Sequence, residues 1–168
     1  MLTPKLLEAL NNQLNRELFS EYLYLGMAGY CYSIDLNGFA NFFVVQAQEE
    51  HQHAMKIFNY IYDRNGKVVL KNLEAPKMEY NNIVEVFEET FKHEQSVTDS
   101  INKLMELAIK ENDHATVSFL KWFVDEQVEE EQTVTKILNK FKLIGSEGAG
   151  LLFLDSELGK RTFTPSAE

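Results

Sequence analysis

The sequence predicts an all-α protein: a four-helix bundle with a long connection between its second and third helices and a short fifth helix near the C-terminus. Two observations support this prediction. Apolar residues recur at the spacing of an amphipathic helix over four long segments. Prolines and glycines, three and eight among 168 residues, are few enough for long uninterrupted helices.

The first helix, α1, is predicted over residues 4–33. Thr3 is a favourable N-cap, and Pro4 suits the first helical position because its missing N–H would have no partner there. The turn-forming segment 35–38 ends the helix. The residues of α1 that we expect to face the core are Leu7, Leu10, Leu14, Leu18, Leu25 and Ala28.

Three further long helices and one short one follow. The apolar pattern predicts α2 over residues 38–64, α3 over 82–111 and α4 over 113–143. Several glycines follow α4, and an apolar stretch after them predicts a short helix, α5, at about 150–160. The tail from Arg161 is expected to fray, as chain ends commonly do.

The connection between α2 and α3, residues 66–81, shows no helical pattern. Its length is unusual for a loop in a small bundle. Fully extended, such a segment reaches roughly 50 Å, whereas a helix of 28 residues is about 42 Å long. The connection can therefore run the whole length of the bundle. We expect α2 and α3 to be parallel, and the closely joined pairs α1–α2 and α3–α4 to be antiparallel.

Composition narrows the possible classes of protein. The length fits one domain over residues 1–168, and the net charge of −10 argues against general nucleic-acid binding and suits a protein that attracts cations. With Cys31 alone, neither an intrachain disulfide nor a paired-thiolate metal site can form. No signal-peptide core and no run of 18 apolar residues is found, so we expect a cytoplasmic protein that does not enter membranes.

A layer of polar residues interrupts the apolar faces of the four long helices near mid-length. Each helix has one glutamate at the centre of its apolar face, where a leucine would be expected. Burying an ionised carboxylate costs several kcal/mol unless it is paired or binds a metal. One such glutamate could be a neutral buried acid, but four in one layer favour a metal site. The residues of this layer, here called the carboxylate layer, are Glu17, Glu50, His53, Glu94, Gln127 and Glu130.

The composition of the layer indicates which metal it binds. Four carboxylates balance two divalent cations, and carboxylates with one imidazole suit iron or manganese. Di-iron bundles commonly use two Glu-x-x-His pairs and two further glutamates. Here Glu50 and His53 form one such pair, whereas α4 has Gln127 and Glu130 at the equivalent spacing. This asymmetry predicts that one metal binds less tightly and passes through the site as a substrate.

Several other polar and apolar positions are less informative about function. His51, His93 and His114 are expected to be solvated. Glu21 falls on the apolar face of α1, about one turn from the layer, and has no assigned role. A second apolar stripe of α1, expected to lie opposite the core and to form a subunit interface, comprises Phe19, Leu23, Met27 and Tyr30.

The segments around the layer resemble those of the haem-free bacterial and archaeal ferritins, and the resemblance covers essentially the whole chain. It implies an iron-storage cage of 24 subunits, a 24-mer, that oxidises Fe(II) with dioxygen or peroxide and stores the Fe(III) mineral without haem. The strings that support it are LNREL at 14–18, QEEHQHA at 48–54, KHEQ at 92–95 and WFVDEQVEEE at 122–131.

The resemblance also implies roles for single residues. Glu17, Glu50 and His53 would bind the first iron of a ferroxidase centre, with Glu50 bridging to the second. Glu94 and Glu130 would bind the second iron.

Six further positions match residues around that centre. Gln127 would lie beside the bound dioxygen, and Tyr24 matches a tyrosine close to the metals. Trp122 matches an aromatic residue sometimes linked to electron transfer, although we favour ordinary core packing as its role. A third iron site would be formed by Glu49, Glu126 and Glu129, with Glu130 shared.

Other functions remain open from the sequence. A di-iron or di-manganese peroxidase or catalase could use the same layer, although peroxidases of the rubrerythrin type commonly add a cysteine-rich iron domain that one cysteine cannot build. A bacterioferritin would need a haem-binding methionine at the position aligned with Gln52. A DNA-protecting mini-ferritin lacks the fifth helix and builds its site from two subunits. A structural bundle with a vestigial site is the last alternative.

Overall fold

The computed structural model describes residues 1–165, and the described part consists of five α-helices joined by turns and one long connection, without a strand. Every helix bound lies within two residues of the predicted one. The predicted fold class, a four-helix bundle with a long crossover and a fifth helix, is confirmed. The helices are α1 Pro4–Ser33, α2 Asn37–Asp63, α3 Ile83–Lys110, α4 His114–Ile144 and α5 Gly148–Leu158.

Side-chain caps explain where three helices begin. The Thr3 hydroxyl accepts a hydrogen bond from the Leu6 amide at 3.2 Å, with Pro4 in the first turn as expected. Asn82 and Asp113 cap α3 and α4 in the same way. Each cap provides a partner for one backbone N–H that has none within the helix.

Contacts between helices determine the topology. The start of α1 faces the end of α3, and the start of α2 faces the end of α4, so each of these two pairs is antiparallel. Since the short turn between α1 and α2 makes them antiparallel as well, α2 and α3 run parallel, as the length of the connection predicts. The contacts are Gln13–Ser100 and Met27–Thr90 between α1 and α3, and Gln46–Glu130 and Arg64–Asp113 between α2 and α4.

The long connection runs along α1, from one end of the bundle to the other. Near its start, the buried side chains of Asn11 and Asn15 bind its backbone: the Val69 amide donates to Asn11 Oδ1 at 2.6 Å, and Asn15 Nδ2 donates to the Val69 carbonyl at 2.8 Å. Further along, Pro76 packs so closely on Gly26 that an added Cβ would lie 3.1 Å from its ring. The two asparagines thus replace a strand partner for the extended chain.

Two apolar clusters fill the bundle, one on each side of the carboxylate layer. The aromatic end lies toward α5 and contains stacked rings such as Phe39 on Phe141, with centroids 5.8 Å apart. The aliphatic end contains the start of α1 and the ends of α2 and α3, with fully buried residues such as Leu10, Ile57 and Ile101. The carboxylate layer therefore lies between two apolar clusters, which separate it from water at both ends of the bundle.

The fifth helix packs against the beginning of α2. Leu154 is buried in the aromatic end, and Asp155 Oδ1 accepts a hydrogen bond from the Phe39 amide at 2.9 Å. The approach requires glycine at position 38, because an added Cβ there would lie 1.7 Å from the Asp155 carbonyl oxygen. None of the helices within residues 1–165 combines the length and apolarity needed to cross a bilayer.

Two expectations about α1 are wrong. Leu25, assigned to the core, is 47 % exposed. Leu23 and Met27, assigned to an external stripe, are buried inside the subunit, where Met27 Sδ accepts a hydrogen bond from the Thr90 hydroxyl at 3.3 Å. The flanking members Phe19 and Tyr30 are half-buried against neighbouring side chains. Since α3 and the crossover pack against this side of α1, the stripe gives no support for a subunit interface.

The tail was expected to fray from Arg161, but its described part, residues 161–165, packs against the bundle; residues 166–168 lie outside the described residues. The Arg161 carbonyl accepts a hydrogen bond from Asn41 Nδ2 of α2 at 2.9 Å. The guanidinium of Arg161 lies over the Phe42 ring, 4.5 Å from its centroid. This contact places a cation beside the carboxylate layer.

Candidate metal centre

The structure brings the six residues of the carboxylate layer together inside one subunit. All six side chains are buried, and the most exposed, Glu130, reaches 7 %. Within residues 1–165, no lysine or arginine forms an ion pair with any of the four glutamates of the layer. A cluster of this kind is stable only with protons or metal ions on it.

The half of the layer on α1 and α2 brings together three residues that could hold a metal ion. Glu17, Glu50 and His53 can each direct one ligand atom so that all three atoms lie within 4.8 Å of one another. Gln13 Nε2 donates to Glu17 Oε1 at 2.6 Å, and Gln13 is itself held by the Ser100 hydroxyl. Glu17 Oε2, in contrast, is buried without any hydrogen-bond partner. A buried carboxylate oxygen without a partner fits a cation ligand.

The half on α3 and α4 is satisfied by protein donors. Tyr24 donates its hydroxyl proton to one oxygen of Glu94, and Gln127 Nε2 donates to the other at 3.1 Å. Gln46 Nε2 donates to Glu130 Oε2 at 2.6 Å. A metal that binds here must replace hydrogen bonds that already exist.

Burial favours the protonated form of three glutamates of the metal-free layer, Glu50, Glu94 and Glu130. It raises the pKa of Glu50 well above the usual range, and the neighbouring carboxylates of Glu94 and Glu17 raise it further. Burial, followed by the charge of Glu94, raises the pKa of Glu130 to about 8. The pKa of Glu94 is raised by burial too. Binding two divalent cations would release these protons, since metal ligands must be deprotonated.

Tyr24 is part of the same network. Its ring is fully buried against Phe43, with centroids 5.9 Å apart, and its hydroxyl donates to the Glu94 carboxylate. Burial and the nearby charge of Glu94 raise the pKa of Tyr24 well above its ordinary value, so the phenol is a donor. Sequence similarity placed Tyr24 near the metals, and the structure places it on the second half of the layer.

The residues expected to form a third site surround a cavity of about 180 Å³ next to His53. Glu126 is half-buried there, and one ligand atom each from His53, Glu126 and Glu130 lie within 4.8 Å of one another. Glu129 is exposed at the rim, and Glu49 is half-buried. Burial raises the pKa values of both Glu49 and Glu126.

The cavity also contains a residue that the sequence did not indicate. Arg161 Nη2 donates to Glu49 Oε2 at 2.6 Å, so this carboxylate is already paired with a cation. Trp122 lines the same cavity, with its ring edge-on to His53 at 5.2 Å and beneath the Lys56 ammonium. These contacts are ordinary packing, which leaves electron transfer through Trp122 without support.

Two further expectations change. His93 is half-buried, not solvated: its ring is 2.8 Å from the Ser20 hydroxyl, and burial lowers its pKa to about 4, so it is neutral. Glu21 lies outside the carboxylate layer, at the surface between α1 and α2, where it pairs with His51 at 3.0 Å. Glu21 therefore has a surface partner and no place among the metal ligands.

Three residues that orient the site were missed. Gln13 and Gln46 each precede a predicted ligand by four residues, a spacing that keeps two side chains on one helix face. A glutamine four residues before a predicted ligand was the sequence signal that could have identified both residues. Arg161 had none, because it lies beyond every predicted helix.

Comparison with known proteins agrees with this geometry. The ferritin-like domain family matches residues 7–144. The bacterial non-heme ferritin of Staphylococcus aureus (strain USA300) is 45 % identical over 163 residues, covering 97 % of this chain and 98 % of the relative. That of Staphylococcus haemolyticus (strain JCSC1435) is 44 % identical with the same coverage.

Solved structures give the same result. A humanized archaeal ferritin superposes with a TM-score of 0.97 at 47 % identity, covering 98 % of this chain and all of the other. The open-pore ferritin of the hyperthermophilic archaeon Archaeoglobus fulgidus superposes with a TM-score of 0.94 at 47 % identity, covering 96 % and 98 % of the two chains. This chain belongs to the ferritin family.

Proposed function

We propose that this chain stores iron: it oxidises Fe(II) in the carboxylate layer and holds the Fe(III) product in a shell built from many subunits. Membership of the ferritin family supports iron storage coupled to iron oxidation. The single observation that supports the layer as the site of oxidation is its unbalanced charge. Four buried glutamates face one another, and one of their oxygens, Glu17 Oε2, has no partner.

Each half of the layer would hold one Fe(II) ion as substrate. Glu17 and His53 would bind the first ion, Glu94 and Glu130 the second, and Glu50 would bridge the two. Four carboxylates neutralise two Fe(II) ions, so both can enter an apolar bundle without net charge. Each ion then loses one electron, and dioxygen takes up both electrons with two protons to give hydrogen peroxide.

The asymmetry of the layer supports transit of iron rather than retention. On the second half, an arriving ion competes with the hydrogen bonds from Tyr24, Gln127 and Gln46. A neutral amide at position 127 is also a weaker ligand than a histidine would be there. We propose that Gln127 lies beside the dioxygen and that oxidised iron leaves through the second half.

The product is proposed to leave through a third site. Glu126 and Glu129, together with Glu49 and the shared Glu130, surround the cavity beside His53. For the assembly we propose 24 subunits, in the cytoplasm, with no haem. Similarity over nearly the full chain to ferritins of bacteria and archaea supports this assembly.

The proposal is tested by adding Fe(II) in air to metal-free protein and following ferric absorbance and particle mass. We expect a particle in the megadalton range that retains hundreds of irons. Glu50→Ala and Glu130→Ala should slow oxidation by more than about a hundredfold, since loss of a residue that merely supports a ligand already costs 10- to 100-fold.

A matched control is Glu106→Ala, which removes an exposed glutamate from α3. It should oxidise iron at the wild-type rate. If the two layer variants are as fast as wild type, the proposed centre is wrong. If both ions stay bound through many turnovers, the layer holds a resident cofactor and the iron is not its substrate.

A further inference from the structure

Arg161 occupies a built position at the mouth of the cavity beside His53. Its backbone carbonyl is held by Asn41, and its guanidinium lies 4.5 Å from the centroid of the Phe42 ring. One of its nitrogens donates to Glu49 Oε2 at 2.6 Å, and the other donates to Gln46 Oε1 at 2.6 Å. Four separate contacts thus fix a cation where the proposed third iron would bind.

The guanidinium and a metal ion compete for the same carboxylate. Both are cations, and Arg161 already takes one oxygen of Glu49. A divalent ion bound between Glu49 and Glu126 would lie close to the guanidinium, and the two positive charges would repel each other. Iron can therefore use both oxygens of Glu49 only when the guanidinium moves away.

The same arginine is linked to a ligand of the second iron. Arg161 fixes the carbonyl oxygen of the Gln46 amide, which leaves its Nε2 to donate to Glu130 Oε2 at 2.6 Å. An amide that keeps both bonds cannot rotate. Departure of Arg161 frees Gln46 to turn, and with it one oxygen of Glu130.

We propose that Arg161 is a built-in competitor for iron at the third site: its guanidinium neutralises Glu49 and holds Glu130, through Gln46, until an arriving cation displaces it. This inference rests on the third site described under the proposed function. Its consequence is that iron binds the third site weakly and leaves quickly, because the guanidinium returns to Glu49 each time.

The test is an anaerobic Fe(II) titration of the assembled protein by calorimetry, comparing wild type with Arg161→Gln. The variant removes the competing charge and should tighten the third binding step by at least about fivefold, the value of a partly exposed ion pair of about 1 kcal/mol. Lys160→Gln, which removes the same charge from the neighbouring exposed residue, should leave that step within about twofold of wild type.

A second variant separates competition from a disturbed tail. Glu49→Gln should weaken the third step, and adding Arg161→Gln to it should tighten that step by less than the same change does in wild type, because part of the effect of Arg161 acts through Glu49. A third step that is unchanged or absent in Arg161→Gln overturns the inference, as does an equal gain in Lys160→Gln. Failure of the proposed function would show elsewhere, as loss of the first two binding steps and of oxidation in wild type.

Discussion

The two halves of the carboxylate layer are similar in residue type but differ in how their oxygens are used. On α1 and α2, Glu17 is held by one glutamine and keeps its second oxygen without a partner, beside an imidazole. On α3 and α4, both oxygens of Glu94 accept hydrogen bonds from side chains. The first half is organised for a cation, whereas the second is satisfied by the protein itself.

This difference indicates an order of events. An unpartnered buried oxygen gains the full benefit of a bound cation, since no protein hydrogen bond to that oxygen has to be displaced. A satisfied site gains only the difference between the metal and the hydrogen bonds that it replaces. Iron should therefore fill the α1–α2 half first and leave from the α3–α4 half.

The largest expected effect tests that order. Glu17→Gln should abolish the first Fe(II) binding step, weakening it by more than about a hundredfold, because it removes a ligand with a free oxygen. Glu94→Gln should spare the first step and weaken only the second. Anaerobic titration of Fe(II) per subunit measures both. Equal losses at both steps in the two variants would show that the halves are not independent.

A smaller effect is expected when the second half is made more like a retained-metal site. Gln127→Glu adds a carboxylate beside Glu94 and should tighten the second Fe(II) by about tenfold, the scale of one added supporting ligand. Release of iron to the interior of the shell should slow, so the oxidation rate over multiple turnovers should fall while the first oxidation stays fast. Stopped-flow absorbance compares the two phases.

The control for that change is Gln95→Glu, an exposed position on α3 one residue from the layer. It adds the same charge to the bundle without reaching the metals. If the Gln127→Glu protein releases iron as quickly as wild type, the asymmetry of the layer is not the cause of iron transit.

The smallest effect concerns protons on the metal-free layer. The folded pKa of Glu130, about 8, lies above the ordinary 4.5, so the folded state binds more protons than the unfolded state between these values. Stability from the protonated acid is present below about pH 4.5 and is lost as the pH rises to 8. The apparent Tm of metal-free protein should fall by more than about 5 °C between pH 5 and pH 8.

The isosteric Glu130→Gln, which cannot ionise, should show a weaker fall, and bound Fe(II) should flatten the curve for wild type. Thermal unfolding followed by circular dichroism at several pH values gives the comparison. If the metal-free protein becomes more stable toward pH 8, Glu130 is not held protonated in the folded state.

Local patterns were enough to predict much of this molecule. Thr3 caps α1 as the sequence predicts, and α3 and α4 begin within one residue of their predicted starts, because capping depends on residues within one turn. In a helix with one buried face, a candidate ligand appears as a polar residue within the apolar pattern. This pattern alone was enough to select Glu50 and Glu94. The same logic failed on Leu25 and Met27, since α1 is covered by α3 and the crossover as well as by α2.

By itself, the sequence determined the five helices, the parallel arrangement of α2 and α3, and the buried acids of the layer, because periodicity, capping and chain length are local quantities. The tertiary structure alone decided which oxygens are free and which are taken. Tyr24 meets Glu94 across 70 residues of chain, and Arg161 meets Glu49 across 112. Hydrogen-bond partners so far apart depend on how helices and tail pack, which no local pattern encodes.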